Sequence, residues 1–570
     1  MRFEDLFEEV GGFGRFQLLM LLLLCFPRLI LPMHFLLHNF LAAVPAHHCQ
    51  LPDPGHQNLS QRDRLLQHIP QDSEGARSSC RIYIQPQLHL LSNSTFQANS
   101  SADVPCPRGW EYDYSQFTST IVTEWDLVCE WRSLNQASSA LFYVGVMFGS
   151  IIFGYLSDKF GRLPMLVVSL VSSSVLGMVT AFSTSFLMFA VMRSLCGVAL
   201  TGIAIISITL CVEWIDLQHR TFAGIISSLA WSTGNILLAL IAFSIRDWRW
   251  LLFSISAPCI LFSALCWWIP ESARWLLANG KTRLAQTYLT RCARMNRRKD
   301  FAPKISCEVL EAIHHPAPRA QHEKDRVLDK IITTDESCKQ YSYWHLVKTP
   351  RMRRLTVCSG IVWFGTPFAY YGISLTITGF GLNMYLTQLV YGAIEVPAKL
   401  LSYLLLDRVG RRWCQAGFMI LTGLLLLISI IIPTDLSIAR SAIVILAKGF
   451  SEAAFTTAFL YTAEMYPTVV RQSGLGYTSF VGRLAASVAP VVKLLNEFWM
   501  HLPTVIFGTT IVLCGAIAFL LPETSNVRLP ETIEDVEYQR HLAPTEPEAE
   551  EKPGISIEFL KLSEHSSCTT

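Results

Sequence analysis

Five ionisable residues, Arg193, Lys399, Lys448, Glu452 and Arg483, interrupt runs of otherwise apolar residues. A cationic side chain near the centre of a bilayer costs about 2.5–3.5 kcal/mol even on lenient insertion scales, so such groups face protein or water and mark a functional interior. Lys448 and Glu452 stand four residues apart, one helical turn, and are expected to neutralise one another in part; Glu395 stands in the same relation to Lys399. Arg193 lies near a helix end, where its stem can carry the charge to the interface. Arg483 has no acid at helical spacing and is the least compensated of the five. A structural ion pair with a distant acid is one reading of Lys399 and Arg483. The other is a positively charged midplane chamber that attracts an organic carboxylate or sulfate. The planar fork of arginine holds a carboxylate through two hydrogen bonds, which suits Arg483 to that task.

Aromatic residues accompany these cations: Trp231, then Trp363, Phe364, Tyr370 and Tyr371, then Phe455 and Phe459. Singly, each reads as helix packing or an interfacial belt residue. Gathered in the spans that also carry the polar groups, they are suited to line a pocket for flat amphipathic solutes. His34, His38 and Asn39 are further polar candidates in the first apolar run. No Gly-x-x-x-x-Gly-Lys-Ser/Thr loop is present, which disfavours direct use of ATP. Neither a metal-ligand cluster nor a nucleophile elbow is apparent, so a non-enzymatic protein without cofactor or bound metal is expected.

The elements that position these groups are membrane spans. Of 570 residues 51% are apolar and only 16% charged, with a mean hydropathy of +0.35; a soluble chain would carry about a quarter charged residues. The net charge of +2 gives no reason to invoke nucleic acid. Apolar runs of about 20 residues occur twelve times, at 16–44, 137–156, 165–182, 186–210, 222–245, 250–269, 355–377, 385–406, 417–432, 439–461, 475–495 and 505–521. The first is read as a retained helix rather than a signal peptide, because Glu4, Glu8 and Glu9 precede it and Arg28 interrupts it.

The chain also repeats itself. Asp158-Lys159-Phe160-Gly161-Arg162 returns 249 residues later as Asp407-Arg408-Val409-Gly410-Arg411. Glu213 and Arg220 return as Glu464 and Arg471, and Pro270-Glu271-Ser272 as Pro522-Glu523-Thr524. Two related halves of six spans are the build of a transporter that rocks about a central site. Each Asp-x-x-Gly-Arg turn is expected to latch neighbouring helices, with Glu213/Arg220, Glu271, Arg274 and Glu464/Arg471 in the same charge network.

The loop 45–136 carries three glycosylation sequons, at Asn58, Asn93 and Asn99, and four cysteines, Cys49, Cys80, Cys106 and Cys129. It belongs outside the cell. Four cysteines allow three disulfide pairings, and the sequence does not choose. The loop 270–354 holds Arg291, Arg294, Arg297, Arg298, Lys299, Arg351, Arg353 and Arg354; with the basic turns at Arg162 and Arg411 it gives the positive-inside signal, leaving both termini in the cytosol. The organisation expected is a cytosolic N-terminus with the first span (1–44), an extracellular loop (45–136), spans two to six (137–269), a cytoplasmic loop (270–354), spans seven to twelve (355–521) and an acidic cytoplasmic tail (522–570).

These features, with Cys106-Pro107-Arg108-Gly109-Trp110, Trp125-Asp126-Leu127-Val128-Cys129 and Pro270-Glu271-Ser272-Ala273-Arg274-Trp275-Leu276, resemble the organic ion transporter family within the major facilitator superfamily, over nearly the whole chain. Glu395-Val396-Pro397-Ala398-Lys399 and Val481-Gly482-Arg483 are similar to its anion branch; the cation branch has an aspartate where Arg483 stands. The resemblance implies an all-α membrane protein of twelve helices in two pseudo-symmetric bundles. It further implies polyspecific transport of organic anions by alternating access, in exchange for a dicarboxylate or other small intracellular anion. Such a carrier is expected as a monomer at the plasma membrane, among lipid, without nucleic acid or ATP. His34, Asn39, Trp231, Tyr370, Tyr371, Lys399, Phe455 and Arg483 are the implied substrate contacts, to which the aromatic pattern adds Trp363. A carrier of organic cations or zwitterions is the alternative. Lys159, Leu163 and Pro164 depart from the family's first turn, which implies a weaker latch there than at Asp407.

Overall fold

A computed structural model describes residues 7–538 apart from 8, 53–59, 72–76, 88–101, 217–218, 299–304, 306–342, 377–382, 434–435, 468, 526, 528–529 and 531. The three sequon asparagines Asn58, Asn93 and Asn99, Lys299 and the tail acids lie outside the described residues, as do the side chains of Arg220 and Asp407.

Twelve long helices follow the order of the apolar runs: α1 (Arg15–Leu36), α2 (Arg132–Phe160), α3 (Arg162–Ala181), α4 (Phe186–Glu213), α5 (Arg220–Ser244), α6 (Trp248–Trp268), α7 (Pro350–Ser374), α8 (Met384–Val409), α9 (Arg411–Ile431), α10 (Ser437–Met465), α11 (Arg471–Val492) and α12 (Leu502–Ala518). Ten of these are long and apolar enough to cross a membrane. Of the other two, α12 has only 17 residues. Helix α7 is 25 residues long but opens with Arg351, Arg353 and Arg354 behind Pro350, whose missing N–H costs nothing in the first turn.

The packing repeats as the sequence does. Helix α1 lies against α5, α2 against α4, and α3 against α4 and α6; six helices later α7 lies against α11, α8 against α10, and α9 against α10 and α12. The halves meet where α5 packs on α8 and α2 on α11, two contacts that interchange under the same six-helix shift. This is the geometry of two parallel repeats about an axis along the membrane normal.

Between α1 and α2 the chain forms two small antiparallel ladders. Strand β1 (His47–Cys49) pairs with β4 (Trp110–Tyr112), and β2 (Arg81–Tyr83) with β3 (Asp103–Pro105). Three-residue strands are too short to stand alone. Disulfides Cys49–Cys106 and Cys80–Cys129 tie them together, one of the three pairings left open by the sequence.

Candidate functional site

Three of the five ionisable groups, Lys399, Lys448 and Glu452, form one buried cluster with Glu395 where α5, α8 and α10 converge. Lys399 donates to Ser232 Oγ at 2.6 Å, to the Ser228 carbonyl at 2.9 Å and to Glu452 at 3.0 Å, so its three hydrogens are all engaged. Lys448 meets Glu395 at 3.1 Å, donates to Ser374 Oγ at 2.8 Å, and sits 3.1 Å from the centre of the Tyr370 ring. Glu395 also accepts from Tyr370 Oη, Ser232 Oγ and Asn235 Nδ2 at 2.8, 3.0 and 3.1 Å.

The ion pairs therefore cross between helices. Each lysine takes its nearest carboxylate from the neighbouring helix, α8 to α10 and α10 to α8, rather than the acid four residues away on its own. This corrects two expectations. Lys448 and Glu452 do not form the intrahelical pair, and the Lys399 ammonium does not project free into a chamber. The physical reason is burial: all four groups are almost wholly out of water, where a charge needs a partner and its remaining hydrogens need acceptors. Two cations and two carboxylates leave the cluster neutral.

Arg483 is built differently. It lies 12 residues into α11, about 18 Å along the axis at 1.5 Å per residue, and is half-buried. Its Nε donates to Ser479 Oγ of its own helix at 3.4 Å. Among the described residues no carboxylate pairs with it. Tyr371 is within its electrostatic reach, and the Tyr371 ring lies 4.9 Å from that of Tyr143 on α2, which places this charge beside the seam of the two halves.

The aromatic candidates gather around these groups. Trp231 of α5 donates toward Tyr370 Oη at 3.4 Å across the seam. Tyr370 lies 5.5 Å from Phe455, which lies 6.1 Å from Trp363, whose indole N–H donates to Thr462 Oγ1 at 2.7 Å. Phe364 stacks on Phe368 within the C-terminal half. His34 does not join them. It is fully buried, its carbonyl accepting Arg193 Nη2 at 2.5 Å and its Nδ1 facing Nη1 at 3.2 Å. Arg193 in turn lies 4.4 Å over the Phe142 ring and is 1% exposed, so it does not snorkel to the interface as expected. Asn39 reaches the edge of the cluster: Ser374, whose Oγ accepts from Lys448, accepts the Asn39 amide at its carbonyl at 2.8 Å.

That bond belongs to a series joining the halves from the midplane toward the side of the disulfide-bonded loop. Tyr385 of α8 stacks on Phe40 at 5.6 Å, meets Phe243 edge-on and bonds the Gln116 carbonyl. Gln388 bonds Asn235, and Lys493 bonds the Leu375 carbonyl nearby within the C-terminal half.

The opposite side carries the repeated turns, and there ion pairs and caps join elements of one half to each other. Arg162 bridges Asp158 at 2.7 Å and Glu213 at 3.3 Å, so the first latch is made in spite of its departures. Arg411 meets Glu464 at 3.2 Å, and Arg471 donates to the Tyr466 carbonyl. The role of the Pro-Glu repeat was not visible in sequence. Glu271 accepts the backbone N–H of Arg162 and Leu163, both at 3.1 Å; Glu523 accepts those of Arg411 at 2.8 Å and Arg412 at 3.1 Å. A carboxylate from the end of each half thus caps the N-terminus of α3 or α9, meeting orphan donors and the positive end of the helix dipole. Arg274 follows Glu271 on the helix Ala273–Ala278. Burial pushes the Glu271 carboxyl above the usual carboxylate range, against the pull of the N–H groups of Ser272, Leu163 and Arg162.

The glycine of each turn is what lets the carboxylate in. Gly161 and Gly410 have φ of +110° and +97°, and a Cβ there would stand 2.5 Å from Glu271 Oε2 and 2.8 Å from Glu523 Oε2. Glu523→Ala is expected to cost about 1–3 kcal/mol through lost capping of α9, and Gly410→Ala to cost as much by expelling the same carboxylate. Thermal unfolding of purified protein checks this; additive losses in the double variant would show that the two changes do not act through one contact.

A family model described as "Sugar (and other) transporter" matches residues 114–535. The chain is 46% identical to solute carrier family 22 member 7 of Bos taurus and of Homo sapiens, each over 97% of this chain and 99% of theirs. It is 40% identical to solute carrier family 22 member 6 of Danio rerio over 96% of both chains. Among solved structures it is similar to the proton:xylose symporter XylE bound to 6-bromo-6-deoxy-D-glucose, with a TM-score of 0.51, 19% identity, and coverage of 71% of this chain and 89% of that one. A partially occluded inward open XylE from E. coli gives 0.53 at 18% identity, covering 69% and 88%. These last two establish the major facilitator fold alone.

Proposed function

The chain belongs to solute carrier family 22 within the sugar (and other) transporters, and from that premise we propose that it carries organic anions across the plasma membrane by alternating access. The observation that carries the anion preference is Arg483, a midplane guanidinium beside the seam of the two halves with no carboxylate partner among the described residues. A carboxylate or sulfate supplies the missing charge and satisfies the fork of donors. Tyr370, Tyr371, Phe455, Trp231 and Trp363 flank the aryl part of the solute. Lys399 contributes by its proximity and by exchange of partners, and His34 and Asn39 act indirectly, one by orienting Arg193 and the other by closing the loop side.

The two bundles rock about this site. The contacts that join them run from the midplane to the loop side, which supports a state closed toward the sequon loop and able to open toward the turns. The sequons and basic loops place the loop side outside the cell and both termini in the cytosol. An empty chamber holding an uncompensated guanidinium reorients at a cost that a bound anion removes, so the carrier works by exchange, against a dicarboxylate or another small anion. No ATP or metal takes part, and one copy of the chain contains the whole site. The cation or zwitterion alternative lacks a free counter-charge, because Glu395 and Glu452 both face lysines.

Counter-flow tests this reading. Vesicles preloaded with small mono- or dicarboxylates are expected to take up an external aryl carboxylate several-fold faster than empty ones. Equal rates with and without internal anion would remove exchange, and preferred uptake of a quaternary ammonium compound would remove the anion reading.

A further inference from the structure

The two buried carboxylates are not equivalent. Glu395 uses both oxygens and accepts from Tyr370, Ser232, Asn235 and Lys448, groups on α7, α5 and α10, so releasing it would strand several donors at once. Glu452 is held through Oε1 to Lys399 alone among the described residues, and it lies one turn from Phe455 in the aromatic group around the seam. It is the carboxylate that can let go. A carboxylate that can let go of an ammonium beside a substrate chamber acts as a stand-in for a substrate's own.

We infer that Glu452 is an internal counter-carboxylate that biases the carrier toward cargo of one net negative charge, by occupying the Lys399 ammonium that the second carboxylate of a dianion would take. With Glu452 on Lys399 and Glu395 on Lys448 the cluster is neutral, and Arg483 alone remains to be balanced. One monoanion does so. A dicarboxylate brings a second charge that finds Lys399 engaged by three acceptors, and to claim it must leave Glu452 charged, buried and unpartnered, which is costly in a medium of low polarity. The charged and titratable groups around Glu452 are Lys399 and Glu395 from α8, Lys448 from its own helix, and Tyr370 and Tyr371 from α7; none but Lys399 holds it by a direct ion pair. The inference rests on the proposed anion site and sharpens it: the exchanged small anion is singly charged in preference to a dicarboxylate.

Benzoate and isophthalate, which differ by one carboxylate, read this out as the ratio of concentrations that halve uptake of labelled benzoate by the full-length carrier. Glu452→Gln is expected to shift the ratio about tenfold or more toward isophthalate, since it leaves Lys399 with only the longer, 3.9 Å contact to Glu395, which is shared with Lys448, and raises the charge of the chamber by one. Glu452→Asp, which keeps the charge but shortens the reach, shifts it less. The double variant Glu452→Gln/Lys399→Met removes both partners of the pair and returns the ratio to that of the wild type. It also remains informative where the single variant fails to reach the surface, because a neutral pair leaves no charge unpaired. An unchanged ratio in Glu452→Gln, or a shifted ratio that persists in the double variant, overturns the inference. Arg483→Met separates the two levels: if it leaves benzoate competition intact, the anion site itself is wrong, whereas loss of benzoate competition there with an unchanged ratio in Glu452→Gln defeats this inference alone.

Discussion

Arg483→Met is expected to lower aryl-carboxylate uptake about 10- to 150-fold, the equivalent of the 1.5–3 kcal/mol carried by a hydrogen bond to a charged group, and Arg483→Asp to abolish it, while both variants reach the cell surface at wild-type density. The second half of that expectation follows from how Arg483 is held. It bonds Ser479 of the same helix, so among the described residues its removal orphans no buried charge. Replacing it by aspartate adds repulsion toward any bound carboxylate without breaking an ion pair. Surface labelling alongside uptake checks both statements. Arg483→Asp protein that is absent from the surface would show that Arg483 is structural, and normal uptake by either variant would take Arg483 out of the site.

Glu395→Ala is expected to do the reverse. It removes the anion between two lysines and leaves Lys448, which is wholly buried, with no carboxylate in the pairing observed. Breaking a buried pair from one side costs about 3–5 kcal/mol, mostly as the stranded partner charge. It also strips acceptors from Tyr370, Ser232 and Asn235, and so loosens the α5–α8 seam between the halves. The expected result is a steep loss of surface protein and of melting temperature, before any question of substrate arises. Adding Lys448→Met to Glu395→Ala is expected to recover a large part of the stability, since the stranded cation is then gone. Failure of the second change to recover any of it would mean that the seam hydrogen bonds, rather than the charge, dominate.

The contrast between these residues shows where sequence reasoning reaches and where it stops. The twelve spans, their order and the six-helix repeat were legible, because an apolar run of about 20 residues has few other uses and because Asp158-x-x-Gly161-Arg162 and Asp407-x-x-Gly410-Arg411 mark the repeat. Helix starts were less so. The hydropathy of the ninth run begins at Gly417, but α9 begins at Arg411, because Glu523 from the far end of the half caps it there. No local pattern announces a cap supplied across 112 residues.

Partner choice was likewise hidden. Spacing alone favoured Lys448 with Glu452 and Lys399 with Glu395; the second pair is kept at 3.9 Å, but packing of α8 on α10 brings each acid nearer the neighbouring helix's lysine, at 3.0 and 3.1 Å. The isolation of Arg483, by contrast, was readable from the absence of an acid at helical spacing, and no distant one among the described residues has been folded onto it. Arg193 and His34 fell between. Their burial was predictable from the apolar run, but their mutual bond joins α1 to α4 over 159 residues, which only the fold provides.

The most direct test of the central claim is a cryo-EM map of the carrier with a bound aryl carboxylate. The expected result places the ligand's carboxylate about 2.7–2.9 Å from the Arg483 guanidinium, with its ring among Tyr370, Tyr371, Phe455 and Trp231. A ligand carboxylate held elsewhere, with the Arg483 guanidinium engaged by a carboxylate of the protein, would contradict it.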